Sequence, residues 1–195
     1  MLVLCPLSFV PGQRPCHSRP TRAVREANPD AHVLYKPHPD VVAKLRDAGE
    51  GEAEAKSLCD EVVVDVEMDA LLRDVDEVHV LSSLAGFEAL LRGTRVVTWG
   101  CPFYAGWGLT DDREPLARRT RRRSLDELVA ATLIEYPTYI SRVSNYFTTP
   151  ERALEELREW RDAGGATRPS WARRALRRVL GWTRRVREKV GRKAQ

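Results

Sequence analysis

The sequence predicts an α/β protein with a Rossmann-like parallel sheet followed by C-terminal helices. Short apolar runs rich in valine alternate with helical patterns, which is typical of parallel strands joined by crossover helices. The runs are also apolar almost throughout, as expected of strands that helices cover on both faces. Five strands are expected, at Met1–Phe9, His32–Lys36, Glu61–Val66, Glu77–Leu81 and Arg95–Trp99. Four helices are expected between them, near 20–28, 40–48, 68–74 and 84–92.

Two further helices are predicted after the sheet. Ser124 followed by Glu127 is a capping-box pattern, in which each side chain bonds a backbone N–H at the helix start. The second helix is expected from Pro150, a residue tolerated in a first turn, to Ala163, and the pair Gly164–Gly165 ends it.

The last thirty residues differ from the rest in charge. Residues 166–195, called the basic tail below, hold eleven Arg or Lys and a single acid, a net charge of +10. The first 165 residues carry −6, which gives the chain its total of +4. We therefore expect one Rossmann-like domain over 1–165 and a separate tail over 166–195. Because the body is acidic, a nucleic-acid-binding protein is not favoured.

The basic tail has two interpretations. Residues 168–193 are a helix candidate with apolar Trp171, Ala175, Leu176, Val179, Leu180, Trp182, Val186 and Val190. Such a helix could lie on the anionic surface of the inner membrane, or the tail could be a solvated extension.

The sequence argues against several classes of protein. The apolar start, Met1–Val10, is short and lacks a basic leading segment, so it is interpreted as a strand rather than a signal peptide. The four cysteines have no paired spacing, so neither a metal site nor a disulfide framework is predicted. No Walker-type loop or dinucleotide glycine fingerprint occurs, which disfavours ATP hydrolysis and hydride transfer. A cytoplasmic protein without a cofactor is expected.

The first candidate site is the segment around His38. Ligands of doubly wound sheets bind beyond the carboxyl ends of the strands, and this segment follows a predicted strand. Pro37 and Pro39 fix the backbone on both sides of the histidine, and Lys36 adds positive charge. An imidazole and an ammonium group held in this way suit a phosphate. The alternative is a proline-stiffened turn with a solvated histidine.

The second candidate site is the pair Ser82–Ser83, where a predicted strand gives way to a helix. Hydroxyls and backbone N–H groups at such a point can hold an anion, or a serine can simply cap the helix. Gly86 and Glu88 follow in the first turns, and Glu88 either reaches a sugar hydroxyl or faces solvent.

The third candidate site is the segment Gly100–Leu109, called the aromatic loop below. Tyr104 and Trp107 stand among glycines, Gly106 included, where their rings could stack on a base or a sugar, or pack against another domain. A basic stretch at 118–123, called the arginine run below, is either a solvated surface or a binding surface for an acidic sugar, lipid or polymer.

These segments together resemble the bacterial capsule polysaccharide biosynthesis family. The likeness rests on Tyr35–Asp40, Ser82–Leu90 and Pro102–Gly108, and it continues through Leu125–Val129, Tyr136–Tyr139 and Thr149–Glu151. It covers roughly residues 28 to 160. The resemblance implies the second half of a two-domain GT-B-type glycosyltransferase, a retaining β-Kdo transferase that uses CMP-Kdo as donor and a lipid-linked saccharide as acceptor.

The resemblance also implies roles for individual residues. His38–Pro39 and Ser82–Ser83 are assigned to the donor phosphate, with Lys36 and Glu88 as helpers. Gly86, Tyr104, Gly106 and Trp107 are candidates for further substrate contacts. The alternative function is a non-catalytic docking component of the capsule export machinery, for which nucleotide binding would not depend on His38.

The chain departs from the family pattern at its front. Members carry an acceptor-binding domain before the strand that begins this chain, and acidic residues with a serine are expected after Gln13, where Arg14–Pro20 stands. No catalytic nucleophile or base is therefore assigned. We expect a truncated or frame-disrupted product that needs a complementing domain for catalysis.

Overall fold

The computed structural model describes residues 2–5, 18–38, 42, 52–114 and 116–165. Most of the helix predicted near 40–48 and the basic tail lie outside these residues. The described chain divides into two units, Met1–Leu125, called the sheet unit, and Asp126–Gln195, called the hairpin unit. The sequence did not predict this division. The boundary drawn at residue 165 stays a prediction, because the chain beyond it is not described.

The sheet unit confirms the predicted fold class. Its described residues form a six-stranded sheet in the order β3-β2-β1-β4-β5-β6, and every pair of neighbouring strands is parallel. The strands are β1 Leu2–Cys5, β2 Val33–Tyr35, β3 Glu61–Val62, β4 Glu77–Val80, β5 Arg95–Thr98 and β6 Asp111–Asp112. All five predicted strands are present in shortened form, and β6 is an addition. The order is that of the doubly wound dinucleotide-binding fold.

The helices of the sheet unit follow the predictions in part. They are α1 Ser18–Ala27, α2 Glu52–Ser57, α3 Met68–Leu71 and α4 Leu84–Leu90. Helix α2 was not predicted, because only one small apolar side chain, Ala55, faces the core and leaves no periodic stripe. Helix α4 begins at Ser83, whose hydroxyl accepts a hydrogen bond from Ala85 N at 3.3 Å.

Valines of the central strands form the core of the sheet unit. Val78, Val80, Val96 and Val97 are at most 1% exposed. Burial of each such side chain contributes about 1.5–3 kcal/mol, so the continuous apolar runs are what hold the sheet between its helices. No helix among the described residues is long and apolar enough to span a bilayer.

An ion pair between Arg25 and Asp60 lies beside the start of β2. The Arg25 guanidinium on α1 lies 2.6 Å from Asp60 Oδ2, and the same carboxylate accepts a hydrogen bond from Val33 N at 2.7 Å. The Val33 N–H, followed by the Arg25 guanidinium, holds the pKa of Asp60 below its ordinary value. These contacts join helix α1 to the start of strand β2 and to the turn before β3. They thereby fix the direction in which β2 runs toward the carboxyl edge of the sheet.

The described part of the hairpin unit contains short helical segments, a two-stranded sheet and a helix of 13 residues. Its elements are α5 Leu125–Val129 (whose first residue belongs to the sheet unit), a π-helix Ala130–Glu135, strands β7 Tyr139–Ile140 and β8 Phe147–Thr148, and α6 Pro150–Asp162. The predicted helix from Pro150 is confirmed, and the Thr149 hydroxyl caps it by accepting from Arg152 N at 3.3 Å. The helix predicted from Ser124 is also present, but it passes into the π-helix, and the hairpin was not predicted.

Glu156 on α6 links the helix to the hairpin. Its carboxylate accepts hydrogen bonds from the Ser141 hydroxyl and from Arg142 N, both at 2.8 Å, and from Arg152 Nε at 3.2 Å. The hydrogen bond from the Ser141 hydroxyl is the largest cause that holds the pKa of Glu156 below its ordinary value of 4.5. The charged carboxylate is therefore the form that stabilises the hairpin unit.

We expect Glu156→Gln to lower the melting temperature at neutral pH by several degrees. Because the folded pKa is depressed, the contribution of the carboxylate is complete above the ordinary pKa and is lost as the pH falls through the folded pKa. Melting temperatures of wild type and Glu156→Gln, measured by circular dichroism from pH 7 to pH 3, should differ at neutral pH and become equal at acid pH. Glu155→Gln, on the exposed side of the same helix, is the control. A difference in melting temperature between wild type and Glu156→Gln that stays the same down to pH 3 would contradict this role.

Candidate functional site

The carboxyl edge of the sheet brings the three predicted sites to one side of the sheet unit. His38 lies three residues after β2, Ser82 two residues after β4, and the aromatic loop begins two residues after β5. The strand order changes direction at β1, because β2 lies on one side of β1 and β4 on the other. This is the topological switch point, where ligands of doubly wound sheets bind. His38 and Ser82 thus flank the end of β1 from two strands that are about 10 Å apart.

The segment after β2 contains His38 in a partly exposed position and Pro37 in a buried one. The His38 carbonyl accepts a hydrogen bond from Val42 N at 3.1 Å. Pro39 lies outside the described residues, and its predicted role stays a prediction.

Lys36 has structural contacts. Its ammonium group donates to the carbonyls of Val64 and Val66, both at 2.7 Å, and so ties the end of β2 to the segment that follows β3. Two of the three ammonium protons are used on the side of β2 that faces β3, away from β1. These contacts favour a bracing role, and the assignment of Lys36 to the phosphate stays a prediction.

The pair Ser82–Ser83 links β4 to α4. Ser83 is the N-cap residue, so the capping interpretation of this serine is confirmed. Helix α4 has seven residues, and a dipole summed over two turns is small. An anion at this edge would therefore depend on side-chain donors more than on the helix. Glu88, in the second turn, is partly exposed, and its role in binding a sugar stays a prediction.

Tyr104 is the connection between the aromatic loop and the start of α4. The side chain is completely buried, and its hydroxyl donates to the carbonyl of Ser83. Its ring packs edge-on against Phe103, with centroids 5.1 Å apart. Gly86 makes room for it, because a Cβ there would collide with the tyrosine hydroxyl and ring. The packing interpretation of Tyr104 agrees with this burial, and contact of Tyr104 with a substrate stays a prediction. Gly86 serves packing, and the sequence did not show this because the two residues are far apart along the chain.

We expect Tyr104→Phe to destabilise the sheet unit by about 1–2 kcal/mol, because the Ser83 carbonyl loses the buried tyrosine hydroxyl and keeps the Gly86 N–H, at 3.2 Å, as a donor. Urea unfolding followed by tryptophan fluorescence measures this loss. Tyr136→Phe, at a side chain 89% exposed, is the control and should be neutral. Equal stabilities of Tyr104→Phe and wild type would show that the hydrogen bond does not hold the Ser83 turn.

Asp112 on β6 holds the other end of the aromatic loop. One oxygen accepts from the hydroxyls of Thr98 at 2.7 Å and Thr110 at 2.6 Å, and the other accepts from Gly106 N at 2.8 Å. The N–H of Gly106 is thus already bonded, which removes it as a donor to a ligand. Its φ of 78° is one that glycine adopts without strain. Contact of Gly106 with a substrate through other atoms stays a prediction.

The arginine run packs against the aromatic loop in part. The Arg119 guanidinium donates to the carbonyls of Pro102, at 2.7 Å, and Ala105, and it lies 5.1 Å from the centre of the Trp107 ring. Arg123 N donates to the Trp107 carbonyl at 2.9 Å. One face of Trp107 is therefore covered by a cation, and stacking of a ligand on the other face stays a prediction. The interpretation of the whole run as solvated surface is wrong for Arg119.

A buried polar pair beneath this edge was not predicted. His79 on β4 is 3% exposed, and its Nδ1 accepts a hydrogen bond from Trp99 Nε1 at 3.2 Å. Its Nε2 lies 2.7 Å from Oε1 of Glu77, without hydrogen-bond alignment. Burial lowers the pKa of His79, and the Glu77 carboxylate opposes this only in part. A neutral imidazole follows. The signal in the sequence was the pair of polar residues two apart in an otherwise apolar strand.

The described residues contain no group of three or more His, Cys, Asp or Glu side chains placed to hold a metal ion.

A parallel sheet in this order places the chain in the class of doubly wound α/β proteins, whose ligands bind at the carboxyl edge of the sheet. Comparison with known proteins gives the family. The family model described as "Capsule polysaccharide biosynthesis protein" matches residues 21–141, and the chain belongs to this family. The resemblance drawn from the sequence is thereby confirmed.

Curated relatives extend this result. The chain is 46% identical over 136 residues to the capsule polysaccharide modification protein LipA of Neisseria meningitidis serogroup B, across 70% of the chain and 19% of that relative. It is 48% identical over 118 residues to the lipopolysaccharide-processing protein LpsZ of Rhizobium meliloti, across 60% of the chain and 27% of that relative. The chain thus spans about a fifth to a quarter of the length of these relatives.

Solved structures show the same partial coverage. The beta Kdo 2,7 transferase part of Thermosulfurimonas dismutans KpsC matches with a TM-score of 0.70 and 38% identity, over 82% of this chain and 53% of that one. The beta Kdo 2,4 transferase of the same KpsC matches with a TM-score of 0.65 and 31% identity, over 80% and 51%. The chain spans about half of each.

Proposed function

We propose that the sheet unit is the CMP-Kdo-binding module of a β-Kdo glycosyltransferase in capsule polysaccharide biosynthesis. The observation that carries the proposal is the placement of His38 and Ser82 on the two sides of β1 at the switch point. The likeness to solved beta Kdo transferases, at 38% and 31% identity, supports the choice of donor.

The spacing at this edge suits a phosphate with a sugar on either side. A gap of about 10 Å between β2 and β4 is wider than one phosphate, so the two flanking segments would grip different parts of one ligand over the end of β1. The His38 imidazole would donate to a phosphate oxygen, and a hydroxyl of Ser82 or Ser83 would bond from the opposite side. Neither step requires a metal ion or a cofactor.

The acidic sugar of the donor adds a second electrostatic requirement. Kdo carries a carboxylate, and Arg118, Arg121 and Arg122 of the arginine run are exposed. Guanidinium groups near the carboxyl edge would raise the local concentration of a ligand with two negative charges, and added salt would weaken this effect.

Transfer to an acceptor requires more than this module. The match covers only about half of each solved relative, so we propose that a complementing half closes over the donor and supplies the missing catalytic groups. Without it one side of the donor stays in water, and weak binding is expected. The acceptor would be a lipid-linked saccharide at the cytoplasmic face of the inner membrane, with contacts to capsule export proteins.

Calorimetric titration with CMP, UMP and cytidine tests the proposal on the purified chain. We expect CMP to bind more tightly than UMP, because the base is read, and more tightly than cytidine, because the phosphate is held. Equal heats of binding for CMP and cytidine would contradict the proposal that the site holds a phosphate. Failure of a folded chain to bind CMP at millimolar concentration would favour the alternative, a docking component of the capsule export machinery.

A further inference from the structure

His79 is a buried titratable group that the proposed donor site does not use. It lies on β4, 3% exposed, with the completely buried Val97 of β5 directly opposite. Paired residues of neighbouring strands project to the same face of a sheet, so an apolar side chain borders the imidazole on this side. A histidine in such a place stays neutral unless its surroundings stabilise the charged form.

The hydrogen bond from Trp99 defines which nitrogen of this imidazole carries the proton. Trp99 Nε1 lies 3.2 Å from His79 Nδ1. An indole N–H can only donate, so Nδ1 accepts through its lone pair, and the proton of the neutral ring is on Nε2. Nε2 lies 2.7 Å from Oε1 of Glu77. The neutral ring thus contacts Trp99 through one nitrogen and Glu77 through the other.

The charged groups around His79 together favour the neutral ring. Glu77 on the same strand favours the imidazolium, but its other oxygen lies 2.7 Å from the Arg95 guanidinium on β5, which already balances its charge. Arg95 and Arg113, which follows β6, both disfavour another positive charge. Burial is the largest cause that holds the pKa of His79 below its ordinary value of 6.5.

A second proton on the imidazole is incompatible with the bond from Trp99. Protonation puts a hydrogen on Nδ1, so that two N–H groups face each other across 3.2 Å and neither has an acceptor. The imidazolium keeps the Glu77 carboxylate beside Nε2, where opposite charges attract. The contact with Trp99 is therefore the one that is lost.

The other contacts of the Trp99 ring do not change in acid. The ring packs against a buried cluster that includes Val24 of α1, Tyr35 of β2 and Ala55 of α2, with Cys59 beside it. Burial raises the pKa of the Cys59 thiol to about 11. Neither this thiol nor the tyrosine hydroxyl takes up a proton in the acid range. Among these described contacts of the indole, the bond to His79 is the one that depends on acid pH.

Trp99 directly precedes the aromatic loop and fixes its first residue. The Trp99 backbone N–H donates to the Val80 carbonyl at 2.8 Å, which continues the pairing of β4 and β5 by one residue. Gly100 then passes so close to the end of β4 that a Cβ would lie 2.8 Å from the Leu81 carbonyl oxygen. Because Leu81 precedes Ser82, the position of Trp99 affects the segment that contains the candidate serines.

We propose that His79 is a positioning residue for the aromatic loop that acts only as a neutral imidazole: its Nδ1 holds the Trp99 indole, and protonation releases the indole and with it the start of the loop beside Ser82. Because burial opposes the charge, release is expected at a lower pH than the titration of an exposed histidine. This inference concerns the sheet unit alone and does not rest on the proposed function.

Nuclear magnetic resonance of the full chain with nitrogen-15-labelled tryptophan tests this release without a nucleotide. The chain has five tryptophans, and Trp99→Phe identifies the indole N–H signal of Trp99. We expect that signal at a downfield, hydrogen-bonded position at pH 8, and we expect it to move upfield toward the position of a free indole as the pH falls to 4. Trp107 is the internal control, because its indole donates to the Phe103 carbonyl at 2.8 Å, and a carbonyl does not titrate. The Trp107 signal should stay in place.

Two variants of His79 test whether this residue is the titrating group. His79→Asn places an amide oxygen near the position of Nδ1, and because this acceptor takes up no proton, the Trp99 signal should keep its bonded position throughout the titration. His79→Leu removes the acceptor, so the signal should be upfield at every pH. His32→Asn, at a histidine 53% exposed, is the matched control and should leave the wild-type titration of Trp99 unchanged.

Three results would overturn the proposal. The first is a wild-type Trp99 signal that stays in place from pH 8 to pH 4. The second is movement of the Trp99 and Trp107 signals at the same pH, since the sheet unit would then unfold as a whole. The third is a titration of Trp99 that His79→Asn leaves unchanged, since another group would then take up the proton.

Discussion

Asp112→Ala is expected to destabilise the sheet unit by about 2–4 kcal/mol. The substitution removes three acceptor contacts at once, from Gly106 N and from the hydroxyls of Thr98 and Thr110. Thr98 is completely buried, so its hydroxyl would lose its partner away from water, where an unmade hydrogen bond is most costly. The aromatic loop would separate from β5, and β6, only two residues long, would lose its anchor. Urea unfolding followed by tryptophan fluorescence measures the change.

The neighbouring aspartate is the matched control. Asp111 lies on the same short strand, but its partners are the exposed guanidinium groups of Arg95 and Arg113, at 3.2 and 3.4 Å. Exposed ion pairs contribute little, so Asp111→Ala should cost about 0–1 kcal/mol. Equal losses of stability in Asp111→Ala and Asp112→Ala would show that strand β6 as a whole, rather than the Asp112 contacts, stabilises the sheet unit.

Gly86→Ala is expected to destabilise the sheet unit by about 2–3 kcal/mol, through overpacking. The new methyl group would overlap the hydroxyl and ring of Tyr104, which is buried and cannot move aside without breaking its bond to the Ser83 carbonyl. The start of α4 would shift as well, so CMP affinity should fall together with stability. Urea unfolding and CMP titration of the same variant measure the two effects.

Two companion variants locate the cause of this loss. Gly93→Ala meets nothing within 4 Å but has φ of 76°, so it reports backbone strain alone, about 1 kcal/mol. Adding Tyr104→Phe to Gly86→Ala removes the nearest colliding atom. The double variant should therefore lose less than the sum of the single variants. Strict additivity would contradict the collision.

The central strands could be predicted because their signal is local. Val96 and Val97 are buried between helices, and such strands are apolar at every position. Strand β6 could not be predicted in this way, since Asp111–Asp112 is polar and only two residues long, and its pairing with Val97 and Thr98 of β5 is a long-range contact. The π-helix likewise depends on the bond from Tyr136 N to the Ala131 carbonyl, which no residue pattern marks.

The residues of the candidate site were likewise predictable from the sequence only in part. His38 and Ser82 were placed correctly at the ends of strands, because parallel topology alone determines which edge they share. The sequence left two interpretations of Tyr104 open, because an aromatic residue among glycines is typical of a stacking surface as well as of a packing contact. Its burial depends on the missing side chain of Gly86, 18 positions away, and that information is three-dimensional.

The chain belongs to a known family but matches only part of each relative, which bears on what it can do alone. In the proposed function, donor binding depends on strands that belong to one sheet, whereas transfer depends on the complementing half. We therefore expect this chain to bind the donor without transferring the sugar.

The most direct test of the central claim compares two histidines at opposite ends of β2. His38 follows the carboxyl end of the strand, and His32 directly precedes Val33 at its amino end, 53% exposed. We predict that His38→Ala weakens calorimetric CMP binding tenfold or more, about 1.4 kcal/mol, and that His32→Ala leaves it unchanged. Equal affinities of the two variants and the wild type would contradict a donor site at the carboxyl edge.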